Sequence, residues 1–151
     1  MSIPRHFDSF TSARANLRSV LDAAHEGLIT TVVRENERFV VVAADSLRRE
    51  LSRLLPARTA VVAEGGGWSA VLPGVPVHRD AETFDEAIDD LIEALHEYAE
   101  DWNTRLHRAP NHQHQRSLVA LVELSDDIQL RDWLLSRDTA LGAASATLAT
   151  A

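Results

Sequence analysis

The chain has 151 residues, of which 45% are hydrophobic and 25% are charged, as is typical of one ordinary soluble domain or two small ones. It contains no cysteine, which excludes disulfide bonds and thiolate metal sites. No apolar run approaches the length of a membrane span, and residues 1–6 lack the apolar core of a signal peptide. We therefore predict a cytoplasmic protein without membrane contact.

The net charge of −8 is unevenly distributed along the chain. Residues 1–58 contain nine arginines and seven acids, whereas residues 59–151 contain six arginines and sixteen acids. A nucleic acid would therefore meet the first third, and the acidic remainder would repel nucleic acid or bind a basic partner. The alternative is that the acids form ordinary solvated helix faces.

The apolar residues near the N-terminus predict an amphipathic helix. They recur at three- and four-residue spacing, which places them on one face: Ala13, Leu17, Val20, Leu21 and Ala24. Gly27 then serves as the usual left-handed stop. Two β-branched runs, residues 28–33 and 39–42, predict a hairpin with a polar turn at residues 35–37. Asp45 is predicted to cap a second short helix, which Pro56 ends.

A lone hairpin with two short helices buries too little apolar surface to be stable in water, so this segment implies a partner chain or a second domain. The order helix, hairpin, helix opens with Ser12-Ala13-Arg14 and Asn16-Leu17, and Val32-Val33-Arg34 precedes the turn. This arrangement resembles the Phd/YefM (prevent-host-death) antitoxin family. The resemblance implies that residues 1–56 form a symmetric dimer that binds operator DNA, and that a following segment holds the toxin.

Several arginines of this segment are candidates for DNA binding. Arg14 and Arg18 lie four residues apart on the predicted first helix, and Arg34 lies where the hairpin turns. Arg14 and Arg34 match the positions where the resemblance implies DNA-contacting arginines, whose guanidinium forks suit phosphates and guanine edges. The supporting candidates are Arg18, Asn16 and the arm residue Arg5. The alternative is that the arginines pair with nearby glutamates at the surface, namely Glu26, Glu35 and Glu37.

The second segment predicts a small sheet with helices. Strands are expected at residues 59–64, 68–72 and 77–79, with a flexible turn at 65–67 and a fourth strand at 117–124. A capping-box sequence at residues 83–86 starts a long helix whose apolar residues share one face: Phe84, Ala87, Ile88, Leu91, Leu95, Ala99 and Trp102. Its other face is acidic: Asp85, Glu86, Asp89, Asp90, Glu93, Glu97 and Glu100. Ser125, with the two aspartates after it, is predicted to start a final helix.

The strands, the Pro73-Gly74-Val75-Pro76 turn and the helix start at Thr83 are similar to the HicB antitoxin domain. That domain resembles a partial ribonuclease H fold, in which a helix packs on one face of a three- or four-stranded sheet. The resemblance implies a toxin-neutralising domain at residues 59–137. Residues 138–151 are rich in alanine and threonine and are predicted to be a disordered tail. The expected fold class is α+β.

Three further kinds of residue could carry a function: histidines, tryptophans and carboxylates. A histidine-rich loop, with His107, His112 and His114, could ligate zinc or nickel, but it reads more simply as a polar loop. We therefore expect no metal and no cofactor. Trp102 and Trp133 lie on helix stripes and are typical core residues, although either could anchor the toxin if exposed. A magnesium-dependent nuclease needs carboxylates that converge from strands, and residues 59–72 offer only Glu64, so we predict that the protein is not an enzyme.

The sequence thus predicts an antitoxin of a type II toxin–antitoxin system. It would neutralise a cognate, RNA-cleaving toxin and repress its own operon as a dimer or higher homo-oligomer on operator DNA. The toxin could be HicA-like, as the second resemblance implies, or RelE/ParE-like or Doc-like, as the first implies. The alternative is a stand-alone dimeric transcriptional regulator with a ligand-binding C-terminal domain.

Overall fold

The computed structural model describes residues 6–136, and the chain divides into two compact units, Met1–Arg49 and Glu50–Ala151. We call them the N-terminal unit and the C-terminal unit. Two three-stranded sheets and six α-helices make up the described part, which confirms the α+β class. No helix within residues 6–136 is long and apolar enough to cross a membrane. The tail predicted at residues 138–151 lies outside the described residues.

The N-terminal unit is a small sheet with two helices on one face. Its elements are β1 (His6–Phe7), α1 (Phe10–Ala15), α2 (Leu17–His25), β2 (Thr30–Arg34), β3 (Glu37–Val41) and the beginning of α3 (Ala44–Leu54). β2 is the central strand, parallel to β1 and antiparallel to β3. The sequence analysis did not predict β1, because a two-residue strand carries no periodic signal.

The predicted continuous first helix is wrong, because Asn16 divides it into α1 and α2. The backbone of Asn16 is outside the helical region, at φ −117° and ψ 29°, and its side-chain amide donates to the carbonyl of Ser12 at 2.9 Å. Such local bonds of asparagine compete with helix continuation. Three members of the predicted apolar stripe are buried: Ala13, Val20 and Ala24. The other two, Leu17 and Leu21, are each 55% exposed.

The hydrophobic core of the N-terminal unit is small. Phe7, Ala13 and Val20 form its buried cluster, and the half-buried Val32 and Val41 pack against it. The α2 helix ends at His25, and Gly27 takes the predicted left-handed conformation with φ 83°. So few buried side chains give little hydrophobic stabilisation.

The hairpin turn is tighter than predicted. Only Glu35 and Asn36 connect the strands, since Arg34 is paired with Glu37 across the ladder. Glu35 has φ 56°, a left-handed conformation that costs a residue with a bulky side chain about 1 kcal/mol and that asparagine tolerates better.

We therefore expect Glu35→Asn to raise the free energy of unfolding of the N-terminal unit by about 0.5–1 kcal/mol. Chemical denaturation followed by circular dichroism measures this change. Glu37→Asn is the matched control, because Glu37 has no positive φ and lies in a strand that disfavours asparagine. Equal effects of the two substitutions would show that turn strain is not the cause.

The α3 helix begins one residue earlier than the predicted cap. Because Ala44 is its first residue, Asp45 lies inside the first turn. There its carboxylate pairs with Arg48 at 2.9 Å and with Arg49 at 3.6 Å. A negative charge in the first turn interacts favourably with the helix dipole, so Asp45 stabilises α3 without capping it.

The C-terminal unit is an antiparallel sheet, in the order β4-β5-β6, with helices packed against it. Its elements are β4 (Ala60–Glu64), β5 (Gly67–Val71), β6 (His78–Ala81), α4 (Phe84–Thr104), α5 (Arg116–Leu124) and α6 (Asp127–Leu134). The first three predicted strands are confirmed. Gly65 and Gly66 make a two-residue turn with φ 56° and 85°, which glycine adopts without strain.

The α4 helix is the centre of the core. Thr83 caps it by accepting a hydrogen bond from the backbone of Glu86 at 3.2 Å. The predicted apolar stripe is confirmed, since its members from Ala87 to Trp102 are buried and Phe84 is half-buried. The ring of Phe84 meets that of Trp68 edge-on, with centroids 5.6 Å apart. This stripe fixes which side of α4 faces solvent.

The predicted fourth strand at residues 117–124 is wrong, because this segment is helix α5. Its buried residues follow helical spacing: Leu118, Val119, Leu121 and Val122. A short continuous apolar run does not distinguish a buried strand from a buried helix. The next helix, α6, is capped by Asp126 and not by Ser125, in a reciprocal capping box with Gln129.

Candidate functional site

Four exposed arginines of the N-terminal unit have no hydrogen bond or ion pair with any described residue: Arg14, Arg18, Arg34 and Arg38. The predicted alternative, pairing with glutamates of the same unit, is therefore not found within residues 6–49. Arg48, by contrast, is held by Asp45. Unpaired guanidinium groups keep all their donors available for an external anion.

Strand geometry places Arg34 on the sheet face that carries the helices. Side chains two residues apart on a strand share a face, and Val32 packs with Phe7 and Ala13 in the core. Arg14 follows Ala13 on α1, which packs on that same face. Arg14 and Arg34 therefore lie on the same side of the sheet.

The supporting candidates are less well grouped. Arg18 lies on α2, so the prediction that it shares one helix with Arg14 is wrong. The amide nitrogen of Asn16 already donates to Ser12, which leaves mainly its side-chain oxygen for other contacts. Arg5 lies outside the described residues.

The sequence analysis missed Arg38. This residue faces Val33 across the ladder and, by alternation, lies on the sheet face opposite the helices. Its position could have been found by counting strand parity from Val41, a core residue three positions further along β3. Arg38 adds a positive charge to a second side of the unit.

The N-terminal unit also exposes large apolar side chains. We call the following set the N-terminal apolar surface: Phe10, Leu17, Leu21, Ile29, Phe39, Val40 and Leu47. It contains more large side chains than the buried cluster of the same unit. Phe39 and Val40 follow each other on β3 and lie on opposite faces of the sheet, so this set covers more than one side of the unit. Exposed apolar side chains of this number on so small a unit are candidates for contact with another protein.

The solvent side of α4 is a row of carboxylates. Five acids recur at four- and three-residue spacing on the face opposite the buried stripe, and we call them the acidic stripe: Glu86, Asp90, Glu93, Glu97 and Glu100. Of these five acids, only Glu97 has an ion pair with a described residue, namely with Arg79 at 3.1 Å. Like charges at this spacing destabilise a helix. Apart from Glu97, the acids of the stripe are thus uncompensated among the described residues.

Acids on other sides of α4 are neutralised. Arg131 of α6 bonds Asp85 at 3.2 Å and also bonds Asp89, and the hydrogen bond to Asp89 raises the pKa of Arg131. Arg105 bonds Asp101 at 2.6 Å, and this hydrogen bond lowers the pKa of Asp101. These pairs fix helix positions, so the free negative charge of α4 is concentrated on the acidic stripe.

The histidine-rich loop is held by contacts to α4. The hydroxyl of Tyr98 lies 2.9 Å from Nδ1 of His112, and burial raises the pKa of Tyr98, which keeps the phenol protonated. Nδ1 of His107 lies 3.0 Å from the carbonyl oxygen of Trp102. No group of three or more His, Asp or Glu residues placed to hold a metal ion occurs within residues 6–136. Two of the loop histidines therefore have structural contacts.

Trp102 and Trp133 are core residues. Their side chains are 8% and 5% exposed, and their indole nitrogens donate to the carbonyls of His112 at 2.9 Å and Leu55 at 2.7 Å. Neither ring is accessible to a partner. The condition under which either tryptophan could anchor the toxin, exposure, is therefore not met. A toxin-facing surface must be sought among exposed residues.

Comparison with known proteins identifies the family. A PHD-like family model, described as the antitoxin of a toxin–antitoxin (RelE/RelB) system, matches residues 6–133. The chain belongs to this antitoxin family. A crystal structure of a protein described as an antitoxin, from Syntrophomonas wolfei subsp. wolfei, has the same fold, with a TM-score of 0.73. The two are 21% identical, and the alignment covers 84% of this chain and 94% of that one. Among curated proteins, none matches the chain.

Membership of an antitoxin family indicates a regulatory role and implies a cognate toxin. On strands β4 and β5 of this antitoxin, Glu64 is the only carboxylate. That side chain is exposed at the end of a strand. On β6, Asp80 is exposed and lies 3.3 Å from His78. The β4-β5-β6 sheet thus carries two carboxylates, Glu64 and Asp80, and both are exposed.

Proposed function

We propose that this chain is the antitoxin of a type II system, in which each unit has one task. The N-terminal unit, as part of a Phd/YefM-like domain at residues 1–56, dimerises on operator DNA and represses the operon. A HicB-like domain at residues 59–137 covers a basic, RNA-cleaving toxin. The supporting observation is the separation of charge, with unpaired arginines in one unit and the acidic stripe in the other.

DNA binding is supported by the position of Arg14 and Arg34. Both are exposed and unpaired among the described residues, and both lie on the helix-bearing side of the small sheet. A two-fold dimer would present each arginine twice, as palindromic operators require. Arginine forks at these positions would bind phosphates for orientation and guanine edges for sequence.

Neutralisation of a toxin is supported by the acidic stripe. An RNA-cleaving toxin carries a positive cleft, and a complementary negative surface would speed association and exclude RNA from that cleft. The inhibition would be steric and electrostatic, without chemistry by this chain. The description of the family favours a RelE/ParE-like toxin over a HicA-like or Doc-like one.

Co-expression with the neighbouring small open reading frame tests this function. An antitoxin should co-purify with that product and restore growth to cells in which the product alone stops it. Retention of growth arrest, with no complex on gel filtration, would reject neutralisation. A stand-alone regulator would leave the neighbouring product unbound.

We expect Glu93→Gln to stabilise the free antitoxin and to weaken toxin binding. The change removes the repulsion of Glu93 from Asp90 and Glu97, which is worth about 0.5 kcal/mol or more in unfolding free energy. It also removes one attractive charge from the proposed toxin surface. Thermal unfolding and binding of the co-purified toxin by calorimetry measure the two effects.

Glu64→Gln is the matched control, because Glu64 is an exposed carboxylate outside the acidic stripe. It should change neither quantity appreciably. If Glu93→Gln left toxin affinity unchanged, the acidic stripe would not be the toxin-facing surface, even if neutralisation itself were observed.

A further inference from the structure

The C-terminal unit contains an apolar groove of about 420 Å³, within the size range of ligand pockets. Residues 54–58, the turn at residues 72–75 and parts of α5 and α6 line it. Its floor consists of buried apolar side chains, among them Leu72, Leu118 and Trp133. Leu54, at the rim, is 73% exposed. The groove would therefore accept an apolar side chain.

The rim of this groove carries positive charge within an acidic unit. Arg58 and His114 are its only ionisable lining residues, and no acid lines it. Arg58 has no hydrogen bond or ion pair with any described residue, and its φ of 51° is unusual for a residue other than glycine. An occupant with carboxylates beside its apolar group would satisfy this guanidinium.

The same unit carries a side chain of that description. Ile128, in the first turn of α6, is 74% exposed, the largest exposure among the large apolar residues described. Asp126 and Asp127 precede it immediately. The capping box fixes this turn, since Asp126 and Gln129 exchange hydrogen bonds of 2.7 and 2.9 Å. Asp127 is paired with His96 at 2.8 Å, whereas Asp126 has no ion pair with a described residue. Ile128 is thus an apolar projection beside one unpaired carboxylate, that of Asp126.

We propose that Ile128 of one copy inserts into the groove of a second copy, with the carboxylate of Asp126 beside Arg58. The contact cannot form within one chain, because Trp133 of the groove and Ile128 lie on the same short helix, about 7.5 Å apart along its axis. The two surfaces differ, so the contact is heterologous and leaves a free groove and a free projection at the ends. It joins antitoxin molecules independently of the N-terminal unit.

Sedimentation of the full chain over a concentration series tests this contact, and every protein compared carries Leu21→Glu so that the proposed dimerisation of the N-terminal unit does not contribute. In this background we expect the mean mass of the otherwise wild-type chain to rise with concentration beyond its smallest species. Ile128→Asp removes the projection and Leu54→Asp places a charge at the groove, and each should weaken this association at least tenfold. Val62→Asp is the matched control, since Val62 is an exposed apolar residue of the same unit outside both surfaces.

Mixing the two variants is the decisive measurement. Ile128→Asp keeps an intact groove and Leu54→Asp keeps an intact projection, so a heterologous contact predicts that the mixture associates although neither variant does alone. The proposal is overturned if the mixture stays dissociated, if the wild type shows no concentration dependence, or if Val62→Asp behaves like the other two. It is also overturned if Leu54→Asp abolishes toxin capture and leaves self-association intact, because the groove would then belong to the toxin.

Discussion

Arg14→Ala and Arg34→Ala should each weaken binding of the antitoxin to the DNA upstream of its own gene by tenfold or more. An arginine that contacts a base edge or phosphate contributes about 1–3 kcal/mol, and a dimer loses two such contacts per substitution. Both side chains are exposed and unpaired in the described part of the chain. Unfolding free energy should therefore change by less than about 0.5 kcal/mol.

Gel-shift titrations at several salt concentrations measure this effect and separate its causes. Loss of a phosphate contact lowers the salt slope by about 1 per arginine, whereas loss of a base contact reduces the preference for the operator over unrelated DNA. Arg53→Ala is the matched control, because it removes the same charge from an exposed arginine that pairs with Glu50. If all three variants lose affinity equally, net charge and not these two positions governs binding.

The long helix and the positions of the two hairpins, although not the two-residue length of their turns, were predictable because local and tertiary preferences agree there. The apolar stripe of α4 recurs along a helix of 21 residues and cannot be satisfied by a strand. Residues 117–124 have no such decisive pattern, because eight residues with β-branched valines are compatible with a strand or a helix. Only packing in the core selects the helix. The break at Asn16 depends on one local hydrogen bond to Ser12, which no periodicity shows.

The candidate surfaces could be located only in part from sequence. Periodicity showed that α4 has an acidic side, but it did not show that Arg131 and Arg105 neutralise the acids beside the stripe. Whether an arginine forms an ion pair depends on the distances between side chains in the folded structure. The same is true of Trp133, which is buried in the core and whose indole nitrogen donates to a backbone carbonyl 78 positions earlier in the chain.

If the N-terminal unit dimerises as proposed, Leu21→Glu should convert that dimer to a monomer. Leu17 and Leu21 lie one turn apart on the solvent side of α2 and belong to the N-terminal apolar surface. Burial of a leucine contributes about 1.5–3 kcal/mol, and a symmetric interface loses it twice. The substitution also forces an unpaired carboxylate into the interface, so the dimer dissociation constant should rise more than a hundredfold.

Analytical ultracentrifugation at micromolar concentration measures the change, in a background that carries Ile128→Asp so that contacts of the C-terminal unit do not contribute. Thr11→Glu is the control, since it places the same charge on an exposed position in the first turn of α1.

Because the buried cluster of the N-terminal unit is so small, its unfolding midpoint should depend on protein concentration in the control and not in Leu21→Glu. Operator binding should fall with the dimer, since one half-site holds too few arginines. A monomeric control, or a dimeric Leu21→Glu variant, would place the two-fold contact elsewhere.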